Sequence, residues 1–413
     1  MRRTIILFFI ALVVVAIAAF VAFIVAPSEN GGNNGGGQQN GGLFGSLFPF
    51  NFGGGNGIEN GGSNGGEPIV DNRPIPVLRQ ISVAPTSGGY FYANEEGNLF
   101  VRYIERQTGH VYEVPTEERS ATRLSNTTVP AIHEVLFANA NNFIIRYLND
   151  DEGVENFFVT LEDGIEDQSL QGDFLDSWQR GSVNQSGENL LAVYETSSGS
   201  SVVLSDVNGE NERAVLSSPI RSWVPLQSNV GSYIYTAPAA STPGFLYRIS
   251  NGILTKVAGD ISGMLALVSA SGRYALVSGG EREQALYLYD TQTGEQYESP
   301  ISTLATKCAF TSEDAVQIIC GVPQEFSGTE LPNNWLLGRI SFNDDIWLIE
   351  PIEGTATLLS LPQEDAGQNL DVWQPTTDAE GNYFGFINKK DLSYWALRLK
   401  EPTTPEEETE EQN

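Results

Sequence analysis

Two cysteines, two histidines and 52 carboxylates make up the conspicuous reactive side chains of this 413-residue chain. Cys308 and Cys320 lie one on each arm of KCAFTSEDAVQIIC. With a turn centred near Asp314, a two-stranded hairpin sets them opposite each other at a separation a disulfide can bridge. Outside the cytoplasm such a bond persists; the alternative is a pair of free thiols packed as small apolar residues. No two further soft ligands stand nearby, which argues against a metal site. His110 falls at a turn-to-strand step and His133 at the start of a strand, positions that suit surface or satisfied polar roles better than general-base work. The nucleophile elbow, the phosphate loop and the HExxH zinc motif are all absent. Glycosidases need two carboxylates, but with so many present no single pair stands out. The acidic loops NDDEGVEN (Asp150, Asp151, Glu152) and DVNGENE (Asp206, Asn208) offer the oxygen ligands Ca²⁺ prefers, without the EF-hand order; ordinary hairpin turns are the plainer reading. The expectation is a non-enzymatic chain with no catalytic residues and no resident cofactor or metal.

The elements that carry these residues are strands. Residues 286–299, LYLYDTQTGEQYES, alternate apolar and polar positions, break at an Asp-x-x-x-Gly turn and resume a strand-like pattern. The same device recurs at Glu105–Gly109, Asp163–Gly164, Asp206–Gly209, Asn251–Gly252, Asp290–Gly294 and Glu350–Gly354, with Gly supplying the positive φ of a hairpin turn. A second recurring unit is an apolar residue, a few small polar residues and a fresh apolar run. Its key column reads Pro85, Phe137, Val183, Pro225, Val268, Phe310 and Pro375, at spacings of 52, 46, 42, 43, 42 and 65. A period of about 40–50 residues with four strands per unit predicts an all-β, seven-bladed β-propeller, with six or eight blades as alternatives. After the seventh unit only three strands fit before the acidic tail. The segment PIPVLRQIS, residues 74–82, is therefore expected to pair with the last blade and close the ring.

The repeats resemble those of the TolB and WD40-like propellers, most clearly in ATRLSNTTVPAIHEVLFANANNFIIRYL. The Trp-Asp and Gly-His pairs of strict WD40 repeats are missing, so the resemblance implies architecture over residues 75–400 and no chemistry. VRYIERQTGHVYEV, TRLSNTTVPAIHEVLF and the KCAF, CGVP and ISFNDDIWLIE block are similar to single-pass, membrane-anchored propellers of small-genome bacteria. That similarity implies the layout and leaves the activity open.

The chain begins with residues 1–4 as a stub, followed by an uncharged run from Ile5 to Ala26. As a helix this run reaches the ~30 Å of a hydrocarbon core. It is longer than the apolar region of a cleavable signal peptide, the rival reading, and is expected to be an uncleaved transmembrane anchor. Arg2 and Arg3 hold the amino terminus in the cytoplasm, which makes this a type II cell-membrane protein with its propeller extracytoplasmic. Residues 27–66 are rich in Gly and Asn and read as a disordered tether with a reach of roughly 35 Å. An island, LFGSLFPFNF, interrupts it and reads either as a docking peptide or as compositional accident. The propeller should occupy 67–400, and 401–413 should be a solvated acidic tail. Setting aside the tail's six Glu and the two leading Arg leaves 46 acids against 20 bases. That excess argues against nucleic acid and against adhesion to anionic lipid.

The long departure from the repeat, residues 321–345, lies between the second and third strands of the sixth unit. In a propeller it shares a face with the links into each inner strand. Trp335, Leu336 and Leu337 are thus expected beside Trp178, Trp223 and Trp373, an aromatic group of the kind that forms interaction hot spots. The opposing reading places Trp335 down on its own blade, and Trp223 and Trp373 between blades. The function expected is a protein-binding scaffold or receptor for another envelope component, the alternative being an envelope glycan hydrolase or lyase that uses channel carboxylates.

Overall fold

The computed structural model describes residues 74–149, 153–161, 170–280, 284–312, 316–326, 328 and 330–400. These form seven four-stranded antiparallel sheets arranged as the blades of a propeller. The innermost strands are Thr86–Ala93, Ile132–Phe137, Arg180–Val183, Trp223–Gln227, Leu265–Val268, Cys308–Ser312 and Val372–Thr377, numbered here as blades 1 to 7. Each expected column residue lies in or immediately before one of them. The membrane span expected at Ile5–Ala26, the tether and the acidic tail lie outside the described residues. Among the described residues no helix is long and apolar enough to cross a membrane.

Burial explains why the strands have different sequence textures. A second strand is covered on both faces by neighbouring blades, and Tyr274–Gly279 and Tyr383–Asn388 are buried at every position. A third strand such as Ala285–Asp290 alternates partly buried and buried residues, while half of the outermost Thr355–Ser360 is exposed. Apolar clusters fill the junctions between blades. Leu191, Val193 and Val202 of blade 3 meet Trp223 and Ile234 of blade 4, and Ile319 and Ile346 of blade 6 meet Val372 and Phe384 of blade 7. The ring closes in the same way, where Phe91 and Val101 of blade 1 pack on Ile387 and Tyr394 of blade 7.

Closure uses the segment ahead of blade 1. Leu78–Gln80 pairs antiparallel with Tyr394–Arg398 and supplies the outermost strand of blade 7, with Leu78 opposite Leu397 and Gln80 opposite Trp395. Chain ends far apart in sequence thus share one sheet, and the third strand of blade 7 has no bare edge.

The turns between first and second strands follow one design. Asn94, Asn184, Ser228, Ser269 and Asp378 each accept hydrogen bonds through their side chains from backbone amides two to five residues ahead, so a short polar side chain holds the hairpin shut. Of the six acidic or Asn-Gly turns expected from sequence, those at Asp206, Asn251, Asp290 and Glu350 join third to fourth strands, and that at Glu105 joins second to third. The same local chemistry closes a hairpin at either place, so sequence does not separate them. The turn at Asp163 lies outside the described residues.

Candidate functional site

Because every inner strand runs the same way, the links between blades and the connections from second to third strands share one end of the ring, called here the link face. The seven innermost strands surround an axial channel of about 540 Å³. Its lining is half-buried and largely apolar, with Tyr90, Phe137, Leu226, Val268, Phe310 and Pro375 among its walls. Tyr90 stacks on Phe137 with ring centroids 5.5 Å apart. In blade 7 a bulge between Trp373 and Thr376 puts Gln374 at φ 48° and turns Gln374 and Pro375 into the channel. A bulge re-aims side chains in this way, and a left-handed non-glycine residue marks backbone strain at the wall.

One carboxylate, Glu134, lines the channel among the described residues. It is engaged by the Arg146 guanidinium, which also donates to Asn156 Oδ1 and to the Trp178 and Gln179 carbonyls. The guanidinium carbon lies 4.1 Å from the centre of the Trp178 ring.

Beside the channel, residues 324–343 form the long connection between the second and third strands of blade 6. Its one-turn helix, Asn333–Leu336, is pinned from below. The Trp335 indole N–H donates to both oxygens of Asp371 (3.0 and 3.1 Å), and the same carboxylate accepts from the Phe342 amide. Lys307 Nζ bonds Asp371 Oδ1 and Asp344 Oδ2, each at 2.5 Å, and all three of these side chains are fully buried. Asp344 Oδ2 also accepts from the Val372 amide, whereas its Oδ1 is buried without a hydrogen-bond partner. Burial raises the Asp344 pKa to about 6, with the Lys307 charge opposing the rise and the Asp371 charge adding to it. Above the helix, Leu336 (41% exposed) and Leu337 (64% exposed) face solvent.

The tryptophans proposed as contact residues beside them are interior, which corrects that reading and agrees with the opposing one for Trp223 and Trp373. Trp335 is fully buried because Asp371 captures its indole N–H. Trp178 lies under Arg146 in the blade 2–3 junction, where Gly181 leaves room for the ring: a Cβ there would fall 2.6 Å from it. Trp223 is buried in the blade 3–4 junction, its indole N–H bonded to Ser218 Oγ. Trp373 is half-buried between blades. Of the expected contact residues only Leu336 and Leu337 are presented outward.

Cys308 and Cys320 occupy directly opposed positions on the first and second strands of blade 6 and form a disulfide. His110 is half-buried and donates its backbone N–H to Thr108 Oγ1. His133 Nδ1 lies 3.0 Å from Arg106 Nη2; partial burial and the charges of Arg106 and Arg146 lower its pKa. The acidic groups considered for Ca²⁺ serve turns where they are described: Asp206 Oδ2 accepts from the Asn211 side chain, and Asn208 Oδ1 from the Glu210 amide. Asp150, Asp151 and Glu152 lie outside the described residues. Among the described residues no group of three or more His, Cys, Asp or Glu is placed to hold a metal ion.

The sequence reading missed two features of this face, the buried Lys307–Asp344–Asp371 knot and a set of arginines. The knot joins residues 37 and 64 positions apart and leaves no local sequence signal. Arg106 follows the second strand of blade 1, Arg146 lies within the second strand of blade 2 and Arg180 opens the innermost strand of blade 3, so no repeat position in the sequence marks them as a set.

No family model matches the chain, and no curated protein matches it. Solved structures do. An oligogalacturonate lyase from Vibrio parahaemolyticus aligns with a TM-score of 0.51 and 10% identity, covering 81% of this chain and 97% of that one. YCF48 bound to a D1 peptide aligns at 0.50 and 10%, covering 81% and 99%. TolB from Acinetobacter baumannii aligns more loosely, at 0.40 and 11%, covering 76% and 79%. At such identities the likeness is one of fold alone: the chain shares the β-propeller architecture, here with seven four-stranded blades.

Proposed function

We propose that this chain is a membrane-anchored, extracytoplasmic scaffold or receptor whose link face captures a peptide segment of another envelope protein. The observation that carries the reading is the pairing of an open, mainly apolar channel with a rigid Leu336–Leu337 platform beside it. Fixing that platform through Trp335 and Asp371 lowers the ordering cost of binding. The YCF48 likeness supports the choice of a peptide, since that propeller was solved with one bound. The Cys308–Cys320 disulfide supports an oxidising compartment, and with it the orientation that Arg2, Arg3 and the Ile5–Ala26 anchor imply.

The oligogalacturonate lyase likeness keeps a glycan-cleaving alternative in view. Paired-carboxylate hydrolysis needs two acids about 5–10 Å apart, whereas among the described residues Glu134 lines the channel singly and is tied to Arg146. This favours binding over hydrolysis.

A photo-crosslinking residue at position 337, used on intact membranes with mass spectrometry, tests the reading. One discrete neighbour, lost when Leu336→Glu is added, is the expected result. A crosslinking pattern unaffected by L336E, or turnover of envelope glycan abolished by Glu134→Gln, would overturn it.

A further inference from the structure

Around the link-face mouth, cations repeat a single task. At four of the seven blade junctions a cation from one blade reaches a carbonyl at the start of the next blade's innermost strand. Arg106 Nη1 approaches the His133 carbonyl (3.4 Å), and Arg146 Nη2 bonds that of Gln179 (2.8 Å). Arg180 Nη1 approaches the Trp223 carbonyl (3.4 Å), and Lys307 Nζ that of Val372 (3.3 Å). These carbonyls lie where the inner strands begin, which puts Arg106, Arg146 and Arg180 at the link-face end of those strands, while Lys307 is fully buried beneath it. Arg106 is fixed there by its own backbone, its N–H donating to the Pro85 carbonyl and its carbonyl accepting from the Ile132 amide.

Two of the four cations are compensated within the protein: Arg146 by Glu134, and Lys307 by Asp344 and Asp371. Arg106 and Arg180 bond no carboxylate among the described residues. Arg79 and Arg123 likewise bond only carbonyl or amide oxygens, so what singles out Arg106 and Arg180 is their place at the same rim, each on a carbonyl at the start of the next inner strand. Arg106 is half-buried, and its remaining side-chain partner is the His133 imidazole. Its neighbour Glu105 is engaged by the Thr108 hydroxyl. A guanidinium presents a planar fork that pairs with a carboxylate in two parallel hydrogen bonds, and that geometry stands unused here.

We propose that the link-face mouth recognises an acidic segment, its carboxylates seated on Arg106 and Arg180 and an apolar side chain entering the channel between them. The proposal rests on the peptide-capture reading and adds the chemistry of the captured segment. A polyuronate would satisfy the arginines equally well, but it has no apolar group for walls made of Tyr90, Phe137, Leu226, Val268 and Phe310. A peptide supplies both.

The test uses the full chain. A display library of random twelve-residue peptides is selected on the wild type. The best peptide, and its analogue with every Asp and Glu changed to the amide, are then titrated by fluorescence anisotropy against wild type, R180Q and R106Q. Tri-galacturonate serves as a third probe. The expected result is enrichment of Asp and Glu, about tenfold weaker binding on loss of either arginine, and binding of the amide analogue that neither substitution changes. Arg180 is exposed, so R180Q keeps the test sound even if the half-buried Arg106 cannot be replaced without unfolding. Selected peptides without acidic enrichment, or equal weakening of acidic and amide peptides by R180Q, would overturn this inference and leave peptide capture standing. No selectable peptide together with tight tri-galacturonate binding would overturn both.

Discussion

Replacing Lys307 by Met should leave the blade 6–7 junction holding two carboxylates with no cation between them. Lys307, Asp344 and Asp371 are all fully buried, and removing one partner of a buried ion pair costs about 3–5 kcal/mol. The cost must depend on pH. Asp344 is raised to about 6 even with Lys307 in place, through desolvation first and the Asp371 charge besides. Deleting the ammonium removes the main influence holding it down, so Asp344 titrates still higher in the variant. A carboxyl whose folded pKa lies above its unfolded value favours the folded state fully below about pH 4, and that contribution is lost as pH rises through the folded pKa. Each unit of displacement is worth about 1.4 kcal/mol. Urea unfolding of the full chain, followed by tryptophan fluorescence, should therefore show the K307M penalty near its maximum at pH 8 and smaller by more than about 1 kcal/mol at pH 5. Adding Asp344→Asn to K307M should recover more than half of the loss at pH 8, because one of the two like charges is gone. A penalty below about 1 kcal/mol at pH 8, equal penalties at the two pH values, or no recovery in the double variant would refute the electrostatic account of this knot.

Gly89→Ala would place a Cβ about 2.3 Å from the ring of buried Tyr394, and overpacking of this kind should cost about 1–3 kcal/mol, read as a lower urea midpoint at unchanged slope. Leu78→Asp puts a charge into the buried face of the closing strand. It should cost about 3 kcal/mol or more and bare the edge of blade 7, giving concentration-dependent association in size-exclusion chromatography. The disulfide joins residues 12 apart, so Cys320→Ser should lose at most about 3 kcal/mol, and the wild type treated with reductant should lose a similar amount. Leu336→Glu alters only exposed surface; stability should stay within about 0.5 kcal/mol of wild type while the neighbour crosslinked from position 337 disappears.

Much of the fold is legible in the chain because a propeller is built by repetition. Six of the seven column residues, from Phe137 to Pro375, line the channel, and the seventh, Pro85, immediately precedes the first inner strand. The borrowed strand was legible by counting: the last unit was one strand short, and 74–82 was the segment left over. The assignment of turns to particular strand pairs was not, since the Glu105 turn and the Asp290 turn satisfy the same backbone geometry at different positions in the blade.

The site was legible in its location and not in its chemistry. The 65-residue spacing exposed the blade 6 insertion, yet nothing near Trp335 in the chain announces Asp371, the carboxylate that holds its ring inside. A tryptophan reads the same in sequence whether it faces solvent or a neighbouring blade. By itself the sequence determined the periodic features, namely blade number, strand alternation, hairpin chemistry and charge excess, because each depends on residues close together along the chain. Only the tertiary structure decided which large side chains are buried and which cations lack acids. Those properties belong to junctions between units some forty residues apart, where ring closure rather than local preference sets each neighbour.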